Sequence, residues 1–397
     1  MKIYYHPQIS MRSYATNKLL IDNDAQWVKA KEVLEWMKAQ GDEIVVNVPS
    51  NSVLPLTMQK YCKIMIEESG YDNVGRNRYD FPAAAINKRF EEWQPDIIWL
   101  EIPELVANYK SLPIVDKADI SVLATFEHFD MRYLLRQIEG YFLADEIVFP
   151  SLALFSRFTR MSAEVLSNSR MIELSNINPV IWGNFVCEEE MLRYKSVVKT
   201  KVLDRNPNES LRIIFPSRLS DFARTKWASF VSIVGTLIKK GYYIEICNPS
   251  ESEIPSFLRA YENHKQLKFH SHIMKRDAWL QVIAHSDIAV ILYSFDDYYS
   301  VGAIELLAAG TKLITLPSQV LDKITRNMKG ILFYLDHIIP RDILKKIELA
   351  KQTKIAKFQQ RKFVDQVSGR AWAREIRLTL ENTAITSRTS KDASETN

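Results

Sequence analysis

Two α/β domains in tandem, each a doubly wound, Rossmann-like parallel sheet and the pair facing a cleft, are what this sequence predicts. At 397 residues the chain exceeds what one hydrophobic core usually serves. Short apolar segments alternate with longer amphipathic ones, the βαβ rhythm of a parallel sheet. The rhythm breaks once, over the charged stretch 188–209 that closes in turn formers, and then restarts.

The first domain, 1–187, opens with the strand "KIYYH", an amphipathic helix "DAQWVKAKEVLEWMKAQG" closed by Gly41, and the strand "DEIVVNVP". The runs "PDIIWLEIP" and "ISVLATFEHFD" are apolar over the length of strands buried on both faces. A helix "MRYLLRQIEGYFL" and a strand "DEIVFPS" follow. With 188–209 read as a linker, the second domain, 210–355, alternates strands "LRIIFPSR", "YYIEICN", "LKFHSHI", "DIAVILYS" and "TKLITLP" with helices between them. Residues 356–382 are expected to be helical. The polar, apolar-poor tail 383–397 is expected to be disordered.

Composition narrows the function classes. The 47% apolar and 25% charged fractions are those of a soluble globular protein. No apolar run approaches the roughly 20 residues needed to span a bilayer, and the N-terminus does not read as a signal peptide, so a cytoplasmic location is expected. Cys62, Cys187 and Cys247 lie far apart with no CxxC, which fits buried thiols in a reducing compartment. The sequence Asp22-Asn23-Asp24 precedes a helix and reads as its N-cap, not as a metal site. A net charge of +4 permits an anionic substrate without demanding one.

The most specific stretch is "FDDYYSVGAIELLAAGTKLITLP", residues 295–317. It holds two carboxylates, Asp297 and Glu305, at the carboxyl end of a strand and the start of a helix. Amides of Ser300, Val301 and Gly302 at that helix start suit a diphosphate. Glu305 suits a ribose diol, and Asp297 the hydroxyls of a sugar beyond the phosphates. The plainer reading makes Asp297 a turn cap and Glu305 a solvated first-turn acid.

The segment is similar to the signature of retaining GT-B glycosyltransferases, an E-x7-E pattern followed by a small-residue helix and a Gly-Thr leading into a strand. Here Asp297 replaces the first glutamate, and Tyr299-Ser300 replaces the usual Phe-Gly. The family holds its donor diphosphate with an arginine and a lysine after the first strand of the second domain. In "IIFPSRLSDFARTKW" these correspond to Arg218 and either Lys226 or Arg224. The resemblance implies a nucleoside-diphosphate sugar as donor, uridine-based in first expectation, with no metal or other cofactor required, and the cations would stabilise the departing diphosphate. It also implies that 356–382 closes the chain as a helix returning to the first domain, anchored by Trp372. It further implies base contacts near His272 and Ile273, and donor-sugar contact by His128, with Glu127 or Asp130 taking the acceptor proton.

The acceptor reading rests on the first domain. Arg76, Arg78, Lys88 and Arg89 are interleaved with aromatic residues over 71–93, and Arg132 follows the His128 strand end. Basic residues among aromatics suit a phosphate backbone and splayed bases. The stretch 126–151 loosely resembles phage α-glucosyltransferases acting on DNA, which implies a hydroxymethylated pyrimidine as acceptor, flipped out of the duplex. A cell-surface polysaccharide or glycolipid acceptor is the alternative, and a non-catalytic nucleotide-sugar-binding protein is the reading from another class.

Overall fold

The computed structural model describes residues 1–7, 19–20, 25–49, 52–53, 63–67, 81–126, 133–183, 185–203, 210–216, 226–247, 256–270, 274–292, 301–356 and 358–395. The chain divides into two compact units, Met1–Phe185 with Gly369–Asn397, and Val186–Ser368.

The first unit is built on seven parallel strands: β1 Lys2–His6, β2 Glu43–Pro49, β3 Lys63–Glu67, β4 Ile97–Leu100, β5 Ser121–Thr125, β6 Glu146–Phe149 and β7 Val180–Ile181, in the order β3-β2-β1-β4-β5-β6-β7. The second has six: β8 Arg212–Phe215, β9 Tyr243–Cys247, β10 Leu267–His270, β11 Ile288–Val290, β12 Lys312–Thr315 and β13 Leu332–Tyr334, in the order β10-β9-β8-β11-β12-β13. Both sheets therefore reverse direction beside their first strand, at β1/β4 and at β8/β11. Such a switch point is where open α/β sheets take ligands, outside the strands' carboxyl ends.

Strand residues alternate between the two faces of each sheet, and both faces are covered, which is why the strands read as unbroken apolar runs. In the first unit Tyr4, Ile98, Leu100, Val122 and Phe149 enter one core, while Ile3, Tyr5, Ile97, Trp99 and Leu123 enter the other. The helix Leu134–Leu143 approaches the turn Pro103–Leu105 so closely that a Cβ on Gly140 would stand 2.1 Å from the Pro103 carbonyl oxygen. In the second unit Ile213, Ile244, Ile246 and Val290 face one core, and Ile214, Ala289 and Leu313 the other.

Three expectations about the chain's organisation need correcting. Residues 188–203 are not an open linker: they form the helices Glu188–Arg193 and Lys195–Leu203, whose Met191 and Val198 enter the second unit's core. Of the charges that suggested a linker, Glu189, Arg193, Lys195 and Lys199 lie on the outer faces of these helices, while Glu190 turns inward. Residues 356–382 are not one helix: Gln360–Val367 belongs to the second unit, and after Ser368 the helix Gly369–Glu395 belongs to the first. That last helix runs on through 383–395, where a disordered tail was expected. Its root is held by Ala373, Ile376, Leu380 and Ala384 in the core and by Arg377, whose Nε lies 2.7 Å from the buried Asp42 Oδ2. Helix propagation from a packed root costs little per added residue, so low hydrophobicity alone does not stop it.

Candidate functional site

In the second unit the motif helix is Val301–Ala308, closed by Gly310 at φ +68, where a Cβ would meet Val202 at 2.7 Å. Ala303, Ile304, Leu306, Leu307 and Ala308 are buried, so the helix is enclosed nearly all round. A carboxylate in such a helix must be paired, because an isolated buried charge is far too costly. Glu305 is 2% exposed, and it is paired.

Its partners come from the helix Arg276–His285. Arg276 and Trp279 are three residues apart and share a helix face, while Leu280, Ile283 and Ala284 turn to the core. Arg276 Nη2 donates to Glu305 Oε1, and Trp279 Nε1 donates to Glu305 Oε2 at 2.7 Å. Arg276 also reaches Glu190 of the Glu188–Arg193 helix, donating to its Oε2 through Nε at 2.9 Å and Nη2 at 2.6 Å. Burial by itself would lower the Arg276 pKa, but the facing Glu305 and Glu190 carboxylates outweigh it and hold the guanidinium above its ordinary value. The three charges form one buried network, and Glu305 is not the solvated first-turn acid of the plainer reading.

Each oxygen of Glu305 thus takes one donor from the described residues. A carboxylate offers about four acceptor positions, so capacity remains on both oxygens.

The other motif residues fall where the chain leaves strand ends. Residues 217–225, with Arg218 and Arg224, follow β8, and 293–300, with Asp297 and Ser300, follow β11; both stretches lie outside the described residues. So do His272 and Ile273, after β10. Val301 and Gly302 open the motif helix. Lys226 is exposed, with left-handed backbone at φ 48, just ahead of the helix Trp227–Val231. His270 ends β10 and is tied through Nε2 to the buried Glu245 at 2.7 Å.

In the first unit Glu127, His128, Asp130 and Arg132 follow β5 and lie outside the described residues, as do Arg76 and Arg78. Lys88 and Arg89 are exposed on the helix Ala83–Trp93. What the first unit does present, at the β1/β4 reversal, is a buried polar group absent from the sequence reading. His6 Nδ1 lies 2.7 Å from the Tyr109 hydroxyl and 3.4 Å from Asn47 Nδ2, and burial pushes the His6 pKa down to about 3. The next residue after β4, Glu101, is ion-paired with buried Lys29 at 3.3 Å. Among the described residues no cluster of His, Cys, Asp or Glu is placed to hold a metal ion, and no helix is long and apolar enough to cross a membrane.

No protein-family model matches the sequence, and no curated relative does. Solved structures do match over nearly the whole chain. The Anabaena protein HepE in complex with UDP and glucose superposes with a TM-score of 0.65 at 12% identity, covering 96% of this chain and 99% of its own. The catalytic domain of Arabidopsis thaliana starch synthase IV, bound to ADP and acarbose, does so at 0.64 and 10%, over 97% and 99%. The Neisseria meningitidis UDP-GlcNAc 2-epimerase bound to UDP-GlcNAc reaches 0.56 at 10%, over 96% and 100%. At such identity the likeness shows the fold alone, and that fold is GT-B.

Proposed function

We propose that the protein is a glycosyltransferase that takes a sugar from a nucleoside-diphosphate sugar, a UDP-sugar in first expectation, and transfers it with retention at the anomeric carbon. The observation that carries this reading is Glu305: a buried, doubly held carboxylate with acceptor capacity left on both oxygens, placed at the E-x7-E position on the motif helix. In this reading Glu305 accepts from the two ribose hydroxyls. The amides of Ser300, Val301 and Gly302, with Arg218 and either Lys226 or Arg224, take the diphosphate. Asp297 holds the sugar hydroxyls, and the chain at His272 and Ile273 meets the base.

The bond between the anomeric carbon and the diphosphate oxygen breaks with its electron pair leaving on the diphosphate, whose charge the cations stabilise. The acceptor hydroxyl attacks from the same face, and its proton passes to Asp130 or Glu127, with His128 against the donor sugar. Glu305→Ala is expected to weaken nucleotide binding by roughly ten- to a hundredfold in calorimetry, the loss of a charged acceptor costing about 1.5–3 kcal/mol. Unchanged binding would refute the assignment.

For the acceptor we carry forward a hydroxymethylated pyrimidine in DNA, supported by the exposed Lys88 and Arg89 on the Ala83–Trp93 helix. A glycan acceptor is the second reading, favoured by the fold shared with a starch synthase bound to acarbose. Salt separates them. DNA binding should weaken steeply as salt rises, and Arg89→Ala should flatten the log–log slope by about one unit. Transfer to a glycan with no salt-sensitive DNA binding selects the second reading.

A further inference from the structure

Arg276 and Trp279 belong to no motif, yet every donor to the Glu305 carboxylate among the described residues comes from them. A carboxylate buried in an apolar helix keeps a fixed orientation only if its oxygens are held, and here each oxygen is held by a different group. The indole is the more directional of the two: one N–H, aimed at Oε2 from 2.7 Å, on a ring anchored one turn along the helix from Arg276. The guanidinium is itself fixed by two bonds to Glu190, so it cannot follow Glu305 if the carboxylate turns.

We infer that Trp279 and Arg276 are positioning residues of the donor site, holding the Glu305 carboxylate so that one lone pair on each oxygen meets a ribose hydroxyl. Glu190 acts one step further back, by orienting Arg276. The inference rests on the ribose assignment of Glu305 and adds to it a specific consequence: these side chains contribute to nucleotide affinity only through the ribose hydroxyls. A residue that merely supports the fold would affect any nucleotide alike.

Calorimetry separates the two. Wild type is titrated with UDP, ADP and GDP, and the tightest binder is then compared with its 2′,3′-dideoxy analogue. Trp279→Phe keeps most of the ring volume and removes the N–H. It is expected to weaken the ribonucleotide by about three- to tenfold, as one lost hydrogen bond would, and to leave the dideoxy analogue unchanged. The double variant Glu305→Ala/Trp279→Phe should bind no more weakly than Glu305→Ala alone, because both changes act on the same contact. Glu190→Gln should reproduce the ribose-confined loss at about two- to threefold, and it carries the test if Trp279→Phe does not fold.

Equal weakening of ribo- and dideoxynucleotide by Trp279→Phe would overturn the inference, as would an additive loss in the double variant. If Glu305→Ala binds as wild type does, the donor assignment itself fails. If Glu305→Ala loses affinity while Trp279→Phe and Glu190→Gln keep it, only the positioning claim fails.

Discussion

About their reversals the two units share one strand order, the first adding β7 at its edge, and each buries an ion pair, Lys29–Glu101 in the first. What differs is the charge of the groups set at the end of β1 and against the motif helix. Beside β1 the first unit places His6 among Tyr109, Asn47 and Tyr4, with the imidazole held neutral by burial. Against its motif helix the second unit buries three charges, Glu190, Arg276 and Glu305. Topology fixes where a sheet reverses, but not whether the groups buried nearby carry charge. A neutral network can pack and orient a loop. A network of fixed charges can also accept hydroxyl donors without reorganising, which is what recognition of a nucleotide ribose requires.

The contrast can be broken from either side. The largest effect should come from Arg276→Gln, which leaves two buried carboxylates facing each other without their shared cation. Removing one partner of a buried ionic network costs about 3–5 kcal/mol, so the urea midpoint should fall sharply. Little change would mean that water already reaches the cluster.

A smaller effect is expected from the neutral side. The folded-state pKa of His6 lies near 3, below the ordinary value of 6.5, so between those values the unfolded chain binds the extra proton. Its contribution to stability is therefore full above about pH 6.5 and is lost as pH falls toward 3. Between pH 7 and pH 5 this amounts to about 2 kcal/mol. His6→Gln should remove that part of the acid sensitivity. An unchanged slope between those pH values would show that His6 takes up its proton in the folded state.

The strands buried on both faces were legible, because such segments must be apolar throughout. β3, β7 and β13 were not: "KIMIE", "VI" and "LFY" are too short, or too mixed in character, to stand out from their surroundings. Motif spacing located Glu305. The partners that bury it were harder to see, since Arg276 and Trp279 stand 29 and 26 residues earlier in the chain and motif spacing carries no such pairing. One signal was available. A single glutamate inside "VGAIELLA" has to be paired, and Arg276 with Trp279 opens the neighbouring helix. The His6 network left no comparable trace, because a histidine ending an apolar strand is common and its partners, Tyr109 and Asn47, come from two other elements.

The most direct test of the account is a calorimetric titration of UDP and 2′,3′-dideoxy-UDP into wild type and Glu305→Ala. The account predicts that wild type prefers the ribonucleotide and that Glu305→Ala loses roughly ten- to a hundredfold in affinity for it, becoming indifferent to the ribose hydroxyls. A Glu305→Ala protein that still discriminates between the two nucleotides as wild type does would contradict it.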